Sequence, residues 1–167
     1  MVREVRAEGH KFVVQEQIGD GMTSTVYRAD QIDSRDHSSR SVALKVLKNH
    51  NSISWLKREF SVLTAVHSKN CVRVWGWENL PSGPALVLDF VDGLSLYDLM
   101  RLEGKFDQDV IDEVISQVQS GLRDLQKVGL WHGDLSPKNL MVDKEGVVKL
   151  LDFGIENESV DLVGTPE

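Results

Sequence analysis

The chain has 167 residues with 41% hydrophobic and 27% charged content, enough for one domain with a sizeable core and unlike a disordered or low-complexity tract. Against 19 basic residues stand 26 acidic ones, and the net charge of −7 disfavours non-specific binding to nucleic acid, so no nucleic-acid partner is expected. Apolar runs such as Ala85–Leu88 fall far short of the roughly 20 residues that cross a bilayer, and no membrane span is expected. The single cysteine, Cys71, excludes an internal disulfide, fits a reducing compartment and reads as inert core.

Taken in chain order, Phe12–Ile18 and Thr25–Asp30 read as strands flanking Gly19-Asp20-Gly21, a hairpin with a flexible turn. Asp33–Ser41 is polar and reads as a loop. Ser41–Leu47 is a strand in which Val42, Leu44 and Val46 alternate with Ala43 and Lys45. Ser54 is placed to cap a helix running to about Val66, with Leu56, Phe60, Leu63 and Val66 at helical spacing. Val72–Trp77 and Ala85–Phe90 are further strands, joined by the turn Pro81-Ser82-Gly83-Pro84. The first half therefore holds five strands and one helix. Asp92-Gly93 breaks the pattern. Ser95 caps a short helix to about Leu102. Asp107 opens a longer one with Ile111, Val114, Ile115, Val118, Leu122 and Leu125 on one face, ended by Gly129. Val142 and Val147 bracket a hairpin loop, Asp143-Lys144-Glu145-Gly146. Trp55, Trp75 and Trp77 read as packing residues.

Three constellations carry chemistry. The first is Ile18-Gly19-Asp20-Gly21-Met22-Thr23-Ser24-Thr25-Val26-Tyr27, whose glycines let backbone N–H groups approach phosphate oxygens. Alone, it reads first as an ordinary hairpin turn. The second is Lys45, an ammonium on an otherwise apolar strand. Burial would require a partner, and Glu59 on the following helix is available; the other reading is an exposed edge-strand lysine. The third is Trp131-His132-Gly133-Asp134-Leu135-Ser136-Pro137-Lys138-Asn139, followed by Leu151-Asp152-Phe153-Gly154. It puts carboxylates and an amide on two short loops. Asp134 can orient a hydroxyl and accept its proton, Asn139 and Asp152 can offer hard oxygens to Mg2+, and Lys138 can neutralise a phosphoryl group in flight.

In this order the residues resemble the signature set of the protein kinase-like superfamily, of the eukaryotic Ser/Thr type. The resemblance runs from about Phe12 to Glu167. It implies an α+β, two-lobe fold forming one kinase-like domain, with a five-stranded N-terminal lobe over residues 1–91, a reduced helical C-terminal lobe over residues 92–167 and ATP in the cleft. ATP and Mg2+ are the implied cofactors, and a protein Ser/Thr hydroxyl the implied acceptor of the γ-phosphoryl group. Residue by residue, Lys45 and Glu59 form an ion pair, Asp134 is the catalytic base, and Asn139 and Asp152 hold Mg2+. Gly19, Gly21 and Ser24 form the phosphate loop, with Ser24 at the place of its third glycine. Val26, Ala43 and Met141 sandwich the adenine and Leu88 guards the back of its pocket. The Asp89 and Val91 backbone meets the adenine edge, and Ser95 falls near the ribose. His132, Phe153 and Leu63 stack as a column between the lobes.

Other departures are informative. Gly133 replaces the arginine of His-Arg-Asp, which implies activity independent of activation-loop phosphorylation. Ser136 stands where Ser/Thr kinases place a lysine, and Lys138, two residues on, is the implied substitute. His-Gly-Asp is shared with small-molecule kinases of the aminoglycoside phosphotransferase type, whereas Asp-Phe-Gly and Gly-Thr-Pro-Glu point to protein kinases. The family's later helices have no counterpart before Glu167, so the apolar face of the long helix is expected to meet a partner or a second copy, or to stay exposed. In extent the chain resembles minimal kinases of bacterial effectors, which implies the cytoplasm of a bacterium or the cytosol of a host cell. Two alternatives stand beside an active kinase: a nucleotide-binding pseudokinase serving as an interaction module, and a piece of a larger kinase.

Overall fold

Alternating apolar residues in the first half of the chain build an antiparallel sheet, as the computed structural model shows for the residues it describes (3–7, 9–48, 53–133 and 135–151). Its strands are β1 (Arg3–Ala7), β2 (His10–Asp20), β3 (Ser24–Asp33), β4 (Ser39–Leu47), β5 (Val74–Leu80) and β6 (Gly83–Asp89), in the order β1-β2-β3-β4-β6-β5. Among the described residues the sheet has six strands where the sequence suggested five. The added strand, β1, has only Val5 and Ala7 to bury, too short an alternation to stand out from its charged neighbours. Val5 lies opposite the fully buried Phe12 on β2. β3 and β4 are longer than their apolar cores, and the loop between them shrinks to residues 34–38. There the Arg35 guanidinium, with its backbone N–H, holds the Asp33 carboxyl down at about 2.

One face of the sheet carries Phe12, Ala29, Val42, Leu44, Val46, Leu80, Ala85 and Val87, a closed apolar cluster. The pleat turns Ala43 and Lys45 to the other face. The helix α1 (Ile53–Ala65) buries Leu56, Glu59 and Leu63, which share one helical face. Its Phe60 meets Trp77 of β5 edge-on, with ring centroids 6.4 Å apart. Ser54 is not the cap that the sequence suggested: the helix already includes Ile53, which makes Ser54 a first-turn residue. This first unit comprises Met1–His67 and Val72–Asp92; the second comprises Ser68–Cys71 and Gly93–Glu167.

The second unit contains β7 (Gly93–Ser95), α2 (Leu96–Glu103), α3 (Gln108–Lys127), a 3-10 turn (Pro137–Asn139), β8 (Leu140–Asp143) and β9 (Val148–Leu150), with its three strands in the order β7-β8-β9. At three residues, β7 is too short to show a period. Gly93 is what admits it, because a Cβ there would stand 1.9 Å from the Val142 carbonyl oxygen. Ser95 caps α2, accepting the Asp98 N–H at 3.0 Å. The apolar stripe of α3 is unevenly covered: Leu125 is buried, whereas Val110, Ile111 and Ile115 stand exposed.

Asn70 clamps this unit together. Its Nδ2 donates to Gln117 Oε1 on α3 (3.0 Å) and to the Val148 carbonyl on β9 (2.9 Å), and its own carbonyl accepts the Leu150 N–H (2.8 Å). Gln117 Oε1 also accepts the Val148 N–H. Burial beside α3 pushes the Cys71 thiol up to about 11, which keeps it protonated and unreactive at neutral pH. Gly121 lies at the centre of this contact. A Cβ there would meet Leu150 Cδ1 at 2.8 Å and the Asn70 carbonyl oxygen at 3.1 Å, and the latter is backbone that cannot swing aside. Gly121→Val is therefore expected to destabilise the protein by about 3 kcal/mol through overpacking. Urea unfolding checks this, and a midpoint equal to wild type would refute the contact.

Candidate active site

Lys45 lies on β4 between β3 and β6, opposite Val26 on one side and Leu86 on the other, so it is not an edge-strand lysine. Its Nζ donates to both Glu59 carboxylate oxygens, at 3.0 and 2.9 Å, and the two side chains are only 7% and 8% exposed. Glu59 reaches it from the same α1 face that buries Leu56 and Leu63. An ammonium inside an apolar strand and a carboxylate inside an apolar helical stripe satisfy each other, as burial of either alone requires.

Register places other residues expected at the nucleotide site beside this pair. Directly opposed residues of antiparallel strands share a face, as do residues two apart along a strand. Val26 is opposite Lys45 and Gly19, and Ala43 is opposite Leu88. Gly19, Val26, Ala43, Lys45 and Leu88 therefore line one face. A Cβ at Gly19 would stand 3.4 Å from Val26 Cβ, so the glycine keeps the space over Val26 open. The tip beyond it is tied down. The Gly21 N–H donates to the Ser24 carbonyl at 2.9 Å, and Lys48 Nζ contacts the Gly21 carbonyl at 2.6 Å and Asp20 Oδ1 at 2.7 Å. The Lys48 bond, with one from Thr25, lowers the Asp20 carboxyl below its ordinary range. Lys48 was not anticipated; only the register that pairs Leu47 with Ser24 brings it to the tip. Ser24 itself is buried at 5% exposure.

At the end of β6, the Asp89 N–H donates to the Arg73 carbonyl at 2.9 Å. Its side chain lies on the opposite face, because Asp89 is opposite Val42.

In the second unit Ser95 of β7 is opposite Met141 of β8. The Ser95 hydroxyl is engaged at the α2 cap, accepting from the Asp98 N–H and donating to Asp98 Oδ2 at 2.8 Å. Lys138 is exposed and rests its Nζ 5.0 Å from the Tyr97 ring centroid. Leu151 joins the two loops. Its carbonyl accepts from Nε2 of the buried His132 at 2.7 Å, and its N–H donates to the Asn139 carbonyl at 2.9 Å. The backbone just before Asp152 is thus fixed to the residues that flank Asp134. Asp134, Asp152 and Phe153 lie outside the described residues, as does the column that the last would form with His132 and Leu63. Among the described residues no group of three His, Cys, Asp or Glu side chains could hold a metal, and no helix is long and apolar enough to cross a membrane.

Residues 12–163 match the model of the protein kinase domain. The chain is 31% identical over 158 residues to the serine/threonine-protein kinase BCK1/SLK1/SSP31 of Saccharomyces cerevisiae, which covers 88% of this chain and 10% of that protein. It is also 31% identical over 158 residues to the serine/threonine-protein kinase PknA of Corynebacterium glutamicum, covering 88% of this chain and 33% of the relative. Among solved structures, that of Rad53 1-466 in complex with AMP-PNP superimposes with a TM-score of 0.75 at 27% identity, over 86% of this chain and 39% of that one. The chain therefore spans a third or less of the length of these two curated relatives.

Proposed function

The chain belongs to the protein kinase domain family, and on that premise we propose that it transfers the γ-phosphoryl group of Mg–ATP to a serine or threonine hydroxyl of a protein. The observation that carries this reading is the buried, bidentate Lys45–Glu59 pair. A buried ion pair is a weak contributor to folding, because desolvation offsets its attraction, so its presence in the middle of a sheet argues for a task other than stability.

The residues present fit the nucleotide and its metal. Glu59 would hold Lys45 toward the α- and β-phosphates, and the backbone at Gly19 and Gly21 would approach them without a Cβ in the way. Asn139 and Asp152 supply the amide and carboxylate oxygens that Mg2+ prefers. Val26, Ala43 and Met141 would flank the adenine with Leu88 behind it. The Asp89 N–H is already given to Arg73, which leaves the Asp89 carbonyl and the Val91 backbone for the adenine edge. When bound, Mg–ATP supplies the phosphoryl group and neutralises part of its charge. Asp134 would orient the acceptor hydroxyl and take its proton, and Lys138, leaving the Tyr97 ring, would face the phosphoryl oxygens. Ser95, held at its cap, would meet the ribose only through its remaining lone pair. A reducing cytosol suits the protonated Cys71 thiol. The exposed Val110, Ile111 and Ile115 side chains support the reading that a partner or a second copy covers this part of α3.

Incubating the full chain with Mg–ATP labelled at the γ-phosphate and a mixture of protein acceptors tests the proposal. Acid-stable label on serine or threonine is the expected result. Nucleotide binding with no label on any protein would overturn it in favour of an interaction module.

A further inference from the structure

Trp75 is where the pairing of β5 with β6 slips. Val74 is opposite Leu88 and Gly76 is opposite Val87, so Trp75 is the extra residue of a β-bulge. A bulge re-aims a side chain, and here the indole Nε1 donates to Asp89 Oδ1 at 2.5 Å. Two guanidiniums lie over the same ring, Arg40 and Arg73, each with Cζ 3.8 Å from its centroid. Arg40 is steadied in turn by donating its Nε to the buried Gln31 at 2.7 Å. Asp89 is thus fixed twice, by its side chain to Trp75 and by its N–H to the Arg73 carbonyl. The next residue, Phe90, is covered by Arg28, whose Cζ is 4.6 Å from the ring centroid.

We propose that Trp75 is a positioning residue for the nucleotide: the Arg40–Trp75–Arg73 stack locks Asp89 from the far face of the sheet and so sets the direction of the backbone that meets the adenine edge. This rests on the kinase reading above. A backbone fixed before binding loses less freedom when the ligand arrives, so the lock acts on affinity and leaves the chemical step alone. The Asp89 side chain lies on the face of the sheet opposite Lys45, away from the proposed phosphate contacts.

The test is calorimetric titration of Mg–ATP into the full chain, followed by transfer rates at saturating ATP. Wild type binds. Trp75→Phe keeps the ring and removes the N–H, and it is expected to weaken affinity about fivefold while kcat stays within about twofold of wild type. Asp89→Ala removes the same bond from the other side. If the bond is the route, the double variant binds no more weakly than the weaker single variant. Trp77→Phe, whose Nε1 bonds the nearby Asn79, leaves affinity unchanged. Wild-type affinity in Trp75→Phe, or losses that multiply in the double variant, would overturn the lock. Should Trp75→Phe fail to fold, Asp89→Ala decides alone: wild-type affinity there overturns it. A wild-type chain that binds no Mg–ATP removes the kinase reading itself, and the lock with it.

Discussion

Lys45→Met is expected to cost about 3–5 kcal/mol of stability and to lower phosphoryl transfer by about 10²–10³-fold. The two losses have different origins. The stability loss arises at Glu59, whose carboxylate sits in a side chain 8% exposed and accepts from Lys45 Nζ through both oxygens, at 3.0 and 2.9 Å. Without Lys45 that buried charge loses the ammonium that meets both of its oxygens. Against a total of about 5–15 kcal/mol for an ordinary domain, such a loss brings the fold near its threshold. Glu59→Leu made together with Lys45→Met removes the stranded charge and restores apolar contact with Leu56, Leu63 and the strand. Stability of the double variant is expected to return to within about 1 kcal/mol of wild type, because a well-packed apolar pair often equals a buried ion pair. Activity is not expected to return, since the ammonium proposed to meet the α- and β-phosphates is then missing. Urea unfolding and a transfer assay on both variants separate the effects. A double variant with wild-type transfer would show that the pair serves only the fold.

The sheet and the pair were legible for a common reason. Val42, Leu44 and Val46 against Ala43 and Lys45 is a two-residue period with one charge out of place, and Leu56, Glu59 and Leu63 is a helical period with the opposite charge out of place. Each anomaly names the other. The caps at Ser95 and Gly129 follow from residue type alone; Gly129 has φ +75°, and Ser95 holds the Asp98 N–H. What escaped depends on register between distant segments. β1 and β7 are short and owe their place to a neighbour strand, β7 through the missing Cβ of Gly93. Lys48 reads as a surface lysine until β3 and β4 are aligned and it meets Asp20. Trp75 reads as packing until the slip at the bulge turns its N–H to Asp89. Asn70 joins Gln117 and Val148 across 47 and 78 residues, a separation that no local pattern encodes. The residue types of the proposed phosphoryl-transfer site were readable from the sequence. The array that holds Asp89 in place needed the fold.

Asp134→Asn tests the central claim most directly. The loop before it is anchored by His132 to the Leu151 carbonyl, and Asn139 is anchored to the Leu151 N–H. An asparagine changes the charge and basicity at residue 134 with little change in shape, leaving nucleotide contacts alone while removing the carboxylate proposed to take the hydroxyl proton. The measurement is kcat for γ-phosphoryl transfer to a protein serine or threonine, alongside the dissociation constant for Mg–ATP. The expected result is a kcat about 10³-fold lower with nucleotide affinity within about twofold of wild type. Transfer at the wild-type rate by Asp134→Asn would contradict the account, because the chemistry would then lie elsewhere in the chain.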